Sequence, residues 1–345
     1  MEDVAAALSA SARPGETLHI RPLGQADLDA VVALDRVLSG RSRRGFFARR
    51  LGQLARAPAG FAALAAERDG RFAGFALARI YEGEFGATSH EAALDAIGVD
   101  LALARQHGVG RVLIDRLAAE LARRGIGELA TQVDWTEYGL LGFFARSGFA
   151  LAPRMVLERP TATPLPSAAI PVTRAAGRPE NDTDYSGPGG DDFQSLARDR
   201  LPVRSMTRDD LAAIVEIDRR VTGRARPAYL ARKLDEAFTE SAVQMSLVAE
   251  IDRHPAGFIM ARVDVGEFGH AEPEAVMDTI GVDPRHGHHG VATALMSQLM
   301  ANLAALRTET VRTEVGWNHF GLLSFLDRMG FGPHRRLALR RPIGA

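Results

Sequence analysis

The chain has 345 residues, of which 46% are hydrophobic and 25% are charged, and both fractions are ordinary for folded globular proteins. Its 42 basic and 43 acidic residues leave a formal charge of −1, so no global field attracts nucleic acid or an anionic membrane, and we expect neither as a partner. There is no cysteine, which excludes disulfides, zinc–thiolate sites and a cysteine nucleophile. No signal-like N-terminus or long apolar run is present, so we expect a cytoplasmic protein.

Hydrophobic periodicity predicts the order β-α-α-β-β-β-α-β-α-β twice along the chain. In the first half these elements are Leu18–Leu23, Asp27–Val37, Gly45–Ala55, Phe61–Glu67, Arg71–Tyr81, Ala92–Asp100, Val109–Arg124, Glu128–Val133, Tyr138–Arg146 and Phe149–Leu157. In the second half they are Leu201–Met206, Arg208–Val221, Pro227–Ala237, Val243–Asp252, Ala256–Val265, Glu274–Asp283, Val291–Leu306, Thr310–Val315, Phe320–Arg328 and Phe331–Leu339. We expect the last strand to complete its own half.

The two halves also repeat each other in sequence. Gly83-Glu84-Phe85-Gly86 returns 183 positions later as Gly266-Glu267-Phe268-Gly269, and Asp95-Ala96-Ile97-Gly98-Val99-Asp100 returns at the same spacing as Asp278-Thr279-Ile280-Gly281-Val282-Asp283. From Gly108 and Gly290 onward the spacing is 182, so one residue was gained or lost between positions 100 and 108. So long a period indicates a duplicated domain and not an array of short repeats.

The repeat places one domain at 17–160 and the other at 201–345. Residues 1–16 form an N-terminal extension, and residues 161–200, rich in proline and glycine, are predicted to be a linker. The fold class is α/β with a mixed sheet: each domain has a central, mostly antiparallel sheet with helices on both faces. Because fused copies supply both halves of a pseudo-twofold interface, we expect a monomer with paired domains or a weak homodimer.

A glycine-containing loop joins the repeated Ile-Gly-Val strand to a long helix in each copy. It reads Arg105-Gln106-His107-Gly108-Val109-Gly110 in the first copy and Gly287-His288-His289-Gly290-Val291-Ala292 in the second. A helix N-terminus exposes backbone N–H groups, and glycine lets a diphosphate approach them closely. The histidines of the second loop have a spacing that is poor for a single ion, and we expect no metal.

These strand, loop and helix segments, with the later Trp135…Gly148-Phe149 stretch, resemble the acetyl-coenzyme A signature of the GNAT superfamily of N-acetyltransferases. The resemblance covers roughly residues 18–160 and 201–345. It implies transfer of an acetyl group from acetyl-CoA, as cosubstrate, to an amine of a small molecule or a protein. The residues implied to contact acetyl-CoA are Ile97, Gly98, Val99, Arg105, Gln106, His107, Gly108, Val109, Gly110, Ile280, Gly281, Val282, Gly287, His288, His289, Gly290, Val291, Ala292 and Asn318.

An amine must lose a proton before it attacks a thioester, and a repeated carboxylate could accept that proton directly or through water. Asp95 and Asp278 lie two residues before Ile97 and Ile280, which predicts that they share a face of the strand with these residues. The resemblance implies that the end of this strand meets the thioester. The alternative is a structural role as hydrogen-bonded strand carboxylates.

Glu84 and Glu267 are the second pair of catalytic candidates, in the repeated Gly-Glu-Phe-Gly segment. Their alternative role is to form a specific turn. Arg79 and Arg262, just upstream, could pair with the repeated acids or bind an anionic group of the substrate.

Members of the family often use a tyrosine four residues before the Gly-Phe pair to protonate the departing thiolate, but this chain has Phe144 and Leu326 there. One domain could therefore be degenerate, or the protein could be a non-catalytic acyl-CoA-binding or structural tandem GNAT-like protein. Trp135 and Trp317 are expected to pack in the core or the cleft.

Overall fold

The structure is a computed structural model that describes residues 18–82, 90–104, 108–165, 201–239, 245–265, 268 and 273–344. The strands of the first copy are β1 Leu18–Pro22, β2 Phe61–Arg68, β3 Arg71–Glu82, β4 His90–Val99, β5 Glu128–Asp134, β6 Ala150–Leu151 and β7 Arg154–Pro160. Its helices are α1 Leu28–Ser39, α2 Arg44–Arg56, α3 Leu101–Ala104, α4 Val109–Arg123 and α5 Tyr138–Arg146. The strands of the second copy are β8 Val203–Ser205, β9 Leu247–Ile251, β10 His254–Val265, β11 Pro273–Val282, β12 Thr310–Gly316, β13 Gly332–Pro333 and β14 Arg336–Pro342. Its helices are α6 Leu211–Thr222, α7 Pro227–Thr239, α8 Val291–Ala305 and α9 Phe320–Arg328.

Two seven-stranded sheets form the centre of the molecule, in the orders β1-β2-β3-β4-β5-β14-β6 and β13-β7-β12-β11-β10-β9-β8. The β4–β5 and β11–β12 pairs are parallel, and the other pairs are antiparallel. In the first sheet, α1 and α2 pack on one face and α4 and α5 on the other, each over its own hydrophobic cluster. The second sheet repeats this layering with α6 and α7 opposite α8 and α9. The predicted fold class is therefore confirmed.

The expectation that the last strand completes its own half is wrong, because the two copies exchange it. Strand β7 pairs with β12 over seven residues, and β14 pairs with β5 over seven residues. Only the two-residue strand β6 stays with the first sheet, where it pairs with the incoming β14. The predicted strand 149–157 thus spans two short strands in different sheets, and the domains bounded at 160 and 201 each depend on a strand from the other.

Turn and cap positions carry residues that suit their backbone conformation. Asp69 and Gly70 have φ of +49° and +74° and form the two-residue turn between β2 and β3. Gly125 has φ of +75° just beyond the end of α4, the position that favours glycine after a helix. Pro227 is the first residue of α7.

The structure also explains the change of spacing between the copies. After β4 the chain forms the four-residue helix α3, whereas after β11 it forms a three-residue 3₁₀ turn, Pro284–His286. An extra residue in the first copy is thereby absorbed before Gly108. None of the described helices is long and apolar enough to cross a membrane.

Candidate active site

Each sheet opens between its two parallel strands. Strands β4 and β5 are paired only from Glu91 to Ala93, although β4 continues to Val99, and β11 and β12 are paired at only two positions. The backbone beyond these pairs is not bonded to the neighbouring parallel strand. A ligand with amide groups can therefore enter between the strands and bond to the exposed edge.

The helices that follow these strands begin on a left-handed glycine. Gly108 has φ of +61° and caps α4, and Gly290 has φ of +79° and caps α8, in both cases without a side-chain hydrogen bond to the helix. A Cβ built on Gly108 would meet no atom within 4 Å, so space is open above it. The first backbone N–H groups of such a helix have no intrahelical partner and favour an anion. Arg105, Gln106 and His107 lie outside the described residues.

The glycine of the repeated Ile-Gly-Val strand has a packing role. A Cβ on Gly98 would lie 2.7 Å from the ring of Phe75, and one on Gly281 would lie 2.7 Å from the ring of Phe258. The neighbours on either side pack towards the α4 or α8 face of the sheet; they are Ile97, Val99, Ile280 and Val282. Val109 and Val291, the first residues of α4 and α8, are also buried.

The second loop holds its histidines at the surface. His288 adopts φ of +63°, and the ring of His289 bonds to the carbonyl oxygen of Gly287 through Nδ1, at 2.8 Å. Asp283 fixes the turn before them: its carboxylate accepts from the Arg285 amide at 3.0 Å. The side chains of Arg285 and Arg220 also bind this carboxylate, and hydrogen bonds from Arg285, which outweigh burial, hold the pKa of Asp283 far below its usual range.

The prediction that Asp95 shares a strand face with Ile97 is wrong, because a β-bulge interrupts the alternation. The pairing of β3 with β4 passes from Ala96 to Leu94 and skips Asp95, just as the pairing of β10 with β11 skips Asp278. A bulge adds one residue to a strand, so Asp95 turns to the α1–α2 face while Ile97 packs towards α4.

Both bulge carboxylates are buried between two cations. Asp95 has no exposed surface, and its Oδ2 lies 3.1 Å from Arg50 Nε and 3.2 Å from Arg79 Nε. Asp278 Oδ2 lies 3.2 Å from Lys233 Nζ and 3.3 Å from Arg262 Nε. Each carboxylate thus joins a helix of its own domain to the central sheet. Removing one partner of such a buried group costs about 3–5 kcal/mol.

A cavity of about 280 Å³ lies between the two domains, where the opening of the second sheet faces β3, β4 and β5 of the first. Asp278, Asn318 and His319 line it from the second domain, and Tyr81 and Arg154 line it from the first copy. Asn318 therefore lies in the same cavity as Asp278. His319 was not a sequence candidate, and its only sequence signal was its position directly after Asn318.

Tyr81 connects the two bulges across the domain interface. Arg79 donates from Nη2 to the Tyr81 hydroxyl, and the Lys233 ammonium lies 5.5 Å from the centre of the Tyr81 ring. Since Arg79 binds Asp95 and Lys233 binds Asp278, four charged groups and one aromatic ring form a continuous path between the domains.

A polar network also joins the two sheets. Gln132 Nε2 donates to Glu314 Oε2 at 2.6 Å, and Arg312 Nη1 donates to Gln132 Oε1 at 3.0 Å. Arg154 Nη1 lies 3.4 Å from Glu314 Oε1, and its other terminal nitrogen pairs with Glu91. The exchanged strand β7 therefore brings a cation to the centre of the interface, and its carboxylate partners come from both sheets.

Other repeated charges pair within each domain. Arg21 binds Asp27 through both terminal nitrogens, at 2.8 and 2.6 Å, and Arg204 binds Asp210 at 2.8 and 2.7 Å. The hydrogen bond from Arg21, helped by the one from the Gly24 amide, outweighs the opposing effect of burial and holds the pKa of Asp27 below its ordinary value. These repeated residues are structural.

A repeated arginine has a carboxylate at its partner's position in the first sheet and a serine at the equivalent position in the second. Arg341 Nη2 lies 2.8 Å from Asp115 Oδ1 on α4. At the corresponding positions of the second sheet stand Arg159, which has no exposed surface, and buried Ser297 on α8. Arg159 donates from Nη2 to the carbonyl oxygen of Thr163, while its Nε and Nη1 have no hydrogen-bond partner among the residues that the structure describes. Burial lowers the pKa of the Arg159 guanidinium.

The remaining sequence candidates divide into two groups. Glu84 and Glu267 lie outside the described residues. Phe144 and Leu326, at the positions where the family often has tyrosine, are buried in the two hydrophobic cores. Trp135 and Trp317 are each 51% exposed, so neither packs in the core, and their expected place in the cleft stays a prediction.

Comparison with known proteins gives an independent assignment. The acetyltransferase (GNAT) family matches residues 33–149 and 211–331. Among solved structures, a tandem GNAT protein from the clavulanic acid biosynthesis pathway has a TM-score of 0.60 at 16% identity, covering 95% of this chain and 99% of its own. A GCN5-related N-acetyltransferase from Sphaerobacter thermophilus has a TM-score of 0.56 at 16% identity, covering 95% and 96%.

A third structure is the glucosamine N-acetyltransferase region of a fungal multi-domain β-N-acetylglucosaminidase, with a TM-score of 0.62 at 14% identity; 96% of this chain covers 38% of that one. At these identities the structures establish a shared fold. No curated protein matches the sequence. The family match covers most of both copies, and the chain therefore belongs to the GNAT acetyltransferase family, as a tandem of two GNAT domains.

Proposed function

We propose that the protein is an acetyl-CoA-dependent N-acetyltransferase and that acetyl transfer takes place in the second domain, at the opening between β11 and β12. One observation carries the choice of domain. Both carboxylates are buried between two cations, but Asp278 is 4% exposed and lines the interdomain cavity at this opening, whereas the corresponding Asp95 has no exposed surface. A carboxylate that reaches a cavity can contact a substrate, and one with no exposed surface cannot.

The residues present fit acetyl-CoA, which supplies the acetyl thioester when it binds. Gly290 and the first N–H groups of α8 suit its diphosphate, because they combine a left-handed glycine with unbonded backbone donors. The unpaired edges of β11 and β12 suit its amide-containing arm, and Asn318 stands beside them in the cavity.

The acceptor amine arrives mostly as an ammonium ion and must lose a proton. Asp278 lines the cavity and can accept a hydrogen bond from the amine, and its charge is already balanced by Lys233 and Arg262. His319 lines the same cavity and carries an imidazole, the side chain best suited to accept and release a proton near neutral pH. We assign binding of the amine to Asp278 and removal of the proton to His319, directly or through water.

Calorimetry of acetyl-CoA with the intact chain tests the carrier site in each domain. Gly108→Val and Gly290→Val force a β-branched side chain into the left-handed region and should block their own loops. Gly125→Val is the matched control, because Gly125 has φ of +75° just beyond the end of α4 that is opposite to Gly108. We expect Gly290→Val to abolish CoA release from pooled amines, with Gly125→Val active. Activity that survives Gly290→Val but not Gly108→Val would reverse the assignment of domains.

A non-catalytic acyl-CoA-binding or structural protein is the second candidate function. It is favoured by Phe144 and Leu326, which are buried and cannot donate a proton to a departing thiolate. Tight binding of acetyl-CoA without CoA release from any amine would establish this alternative. Failure to bind CoA or its acyl forms at millimolar concentration would refute both.

A further inference from the structure

A second and larger cleft, of about 610 Å³, lies on the α1–α2 side of the first domain. Its walls come from both domains: α2 and the edges of β2 and β3 form one side, and α7 of the second domain forms the other. The cleft therefore exists only when the two domains are paired.

The described residues that line this cleft include four arginines and a single acid. The arginines are Arg50, Arg56, Arg79 and Arg232, and the acid is Asp235. Guanidinium groups bind carboxylates and phosphates through paired N–H donors, so a cluster of this kind suits an oxyanion. Phe61, Ile80 and Tyr81 add apolar surface beside the cations.

Two of these arginines also reach the bulge at Asp95. The salt bridges of Arg50 and Arg79 with Asp95 are made by their Nε atoms. One terminal nitrogen of each arginine binds a group of the cleft wall: Arg50 Nη1 donates to Gln53 Oε1 at 3.0 Å, and Arg79 Nη2 donates to the Tyr81 hydroxyl. Arg50 and Arg79 therefore connect the cleft wall to Asp95 at the bulge of β4.

We infer that this cleft binds the carboxylate or phosphate group of the acceptor molecule, so that the protein acetylates small amines that carry an oxyanion. The inference rests on the proposed acetyl transfer for the role of the ligand, but the binding of the anion can be measured without it. Arg56 and Arg232 are the residues to change, because they lie in the cleft and outside the pairs that hold Asp95.

The test is calorimetry on the intact chain at low ionic strength, without acetyl-CoA, using amines matched except for charge. The probes are β-alanine against 3-aminopropanol for a carboxylate, and 2-aminoethyl phosphate against 2-aminoethanol for a phosphate. We expect one anionic probe to bind at least about tenfold more tightly than its neutral partner, and its affinity to fall with added salt. The anionic probe that shows the preference identifies the group.

Arg56→Gln and Arg232→Gln should each weaken binding of that probe by about tenfold or more, the effect of losing one charge-assisted hydrogen bond. Arg36→Gln is the control for the same change of charge, because Arg36 lies exposed on α1 outside the cleft. Equal affinity for the charged and neutral probes, or unchanged affinity in both cleft variants, would overturn the inference. Anion binding without CoA release would refute the proposed transfer while leaving the anion site in place. CoA release with no preference for anions would refute the anion site while leaving the proposed transfer in place.

Discussion

The exchange of β7 and β14 predicts that neither half of the chain folds alone as a monomer. A fragment of residues 1–165 lacks β14, and a fragment of residues 201–345 lacks β7. The loss is large because each missing strand pairs over seven residues with a strand of the other half and covers the core there.

The magnitude follows from the buried side chains. Val156, Leu157 and Leu165 are at most 7% exposed, and all three belong to the segment that the second sheet would lose. At about 1.5–3 kcal/mol for each fully buried aliphatic side chain, this removes roughly 4–9 kcal/mol of gross stabilisation. A whole domain has a net stability of only about 5–15 kcal/mol, so most of it would be lost.

The assay is to express the halves separately, record circular dichroism and size-exclusion profiles, and then mix them. Each half alone should be largely unfolded or associated with a second copy of itself, and the mixture should form a 1:1 complex with a dissociation constant below about 1 μM, or about 8 kcal/mol. The control is an intact chain with a protease site between residues 165 and 201, which should stay a single species after cleavage. A half that is monomeric, cooperatively folded and indifferent to its partner would refute strand exchange.

Three further predictions concern stability, measured by denaturant unfolding of the intact chain. Ser297→Asp should stabilise by about 1–3 kcal/mol, because it returns an acid to buried Arg159 at the position where the first copy keeps one; a loss of stability would contradict this pairing. Asp27→Asn should remove stability that is present above about pH 4, the ordinary pKa of an aspartate, and lost as pH falls through the lower folded pKa, so the variant should show a flatter acid limb than the parent. Gly98→Ala should destabilise by about 1–3 kcal/mol through its clash with an aromatic ring, whereas Gly139→Ala, inside α5 with nothing near its Cβ, should be neutral or stabilising by up to about 1 kcal/mol.

The sequence predicted the elements and the fold class because the two copies carry the same local patterns and the same turn residues. It could not predict the exchange of strands. Both copies offer equivalent final strands, and the choice depends on the direction the chain takes between β6 and β7, where Ala152 and Pro153 lead from one sheet to the other. That direction is set by tertiary packing and not by any local preference.

The faces of Asp95 and Asp278 show a different limit. In a regular strand, residues two apart lie on the same face of the sheet, but a bulge adds one residue and reverses the face of those before it. A signal was nevertheless present, since Arg79 and Arg262 are repeated together with these acids, and the structure pairs them. Sequence reasoning offered those arginines as partners of acids or of an anionic substrate, and the described contacts are to the bulge carboxylates.

Because residues of both domains line the cavity, the first copy contributes to it even if acetyl transfer takes place only in the second. The opening of the second sheet is faced by Tyr81, Glu91 and Gln132 of the first domain, and Arg154 reaches it on an exchanged strand. A first copy that had lost its own acetyl transfer would still form one wall of the site and supply a strand to the second sheet. Under the proposed acetyl transfer in the second domain, substitutions of Tyr81 should therefore alter the affinity for the acceptor, although the residue belongs to the other copy, whereas a purely structural first copy would change stability alone.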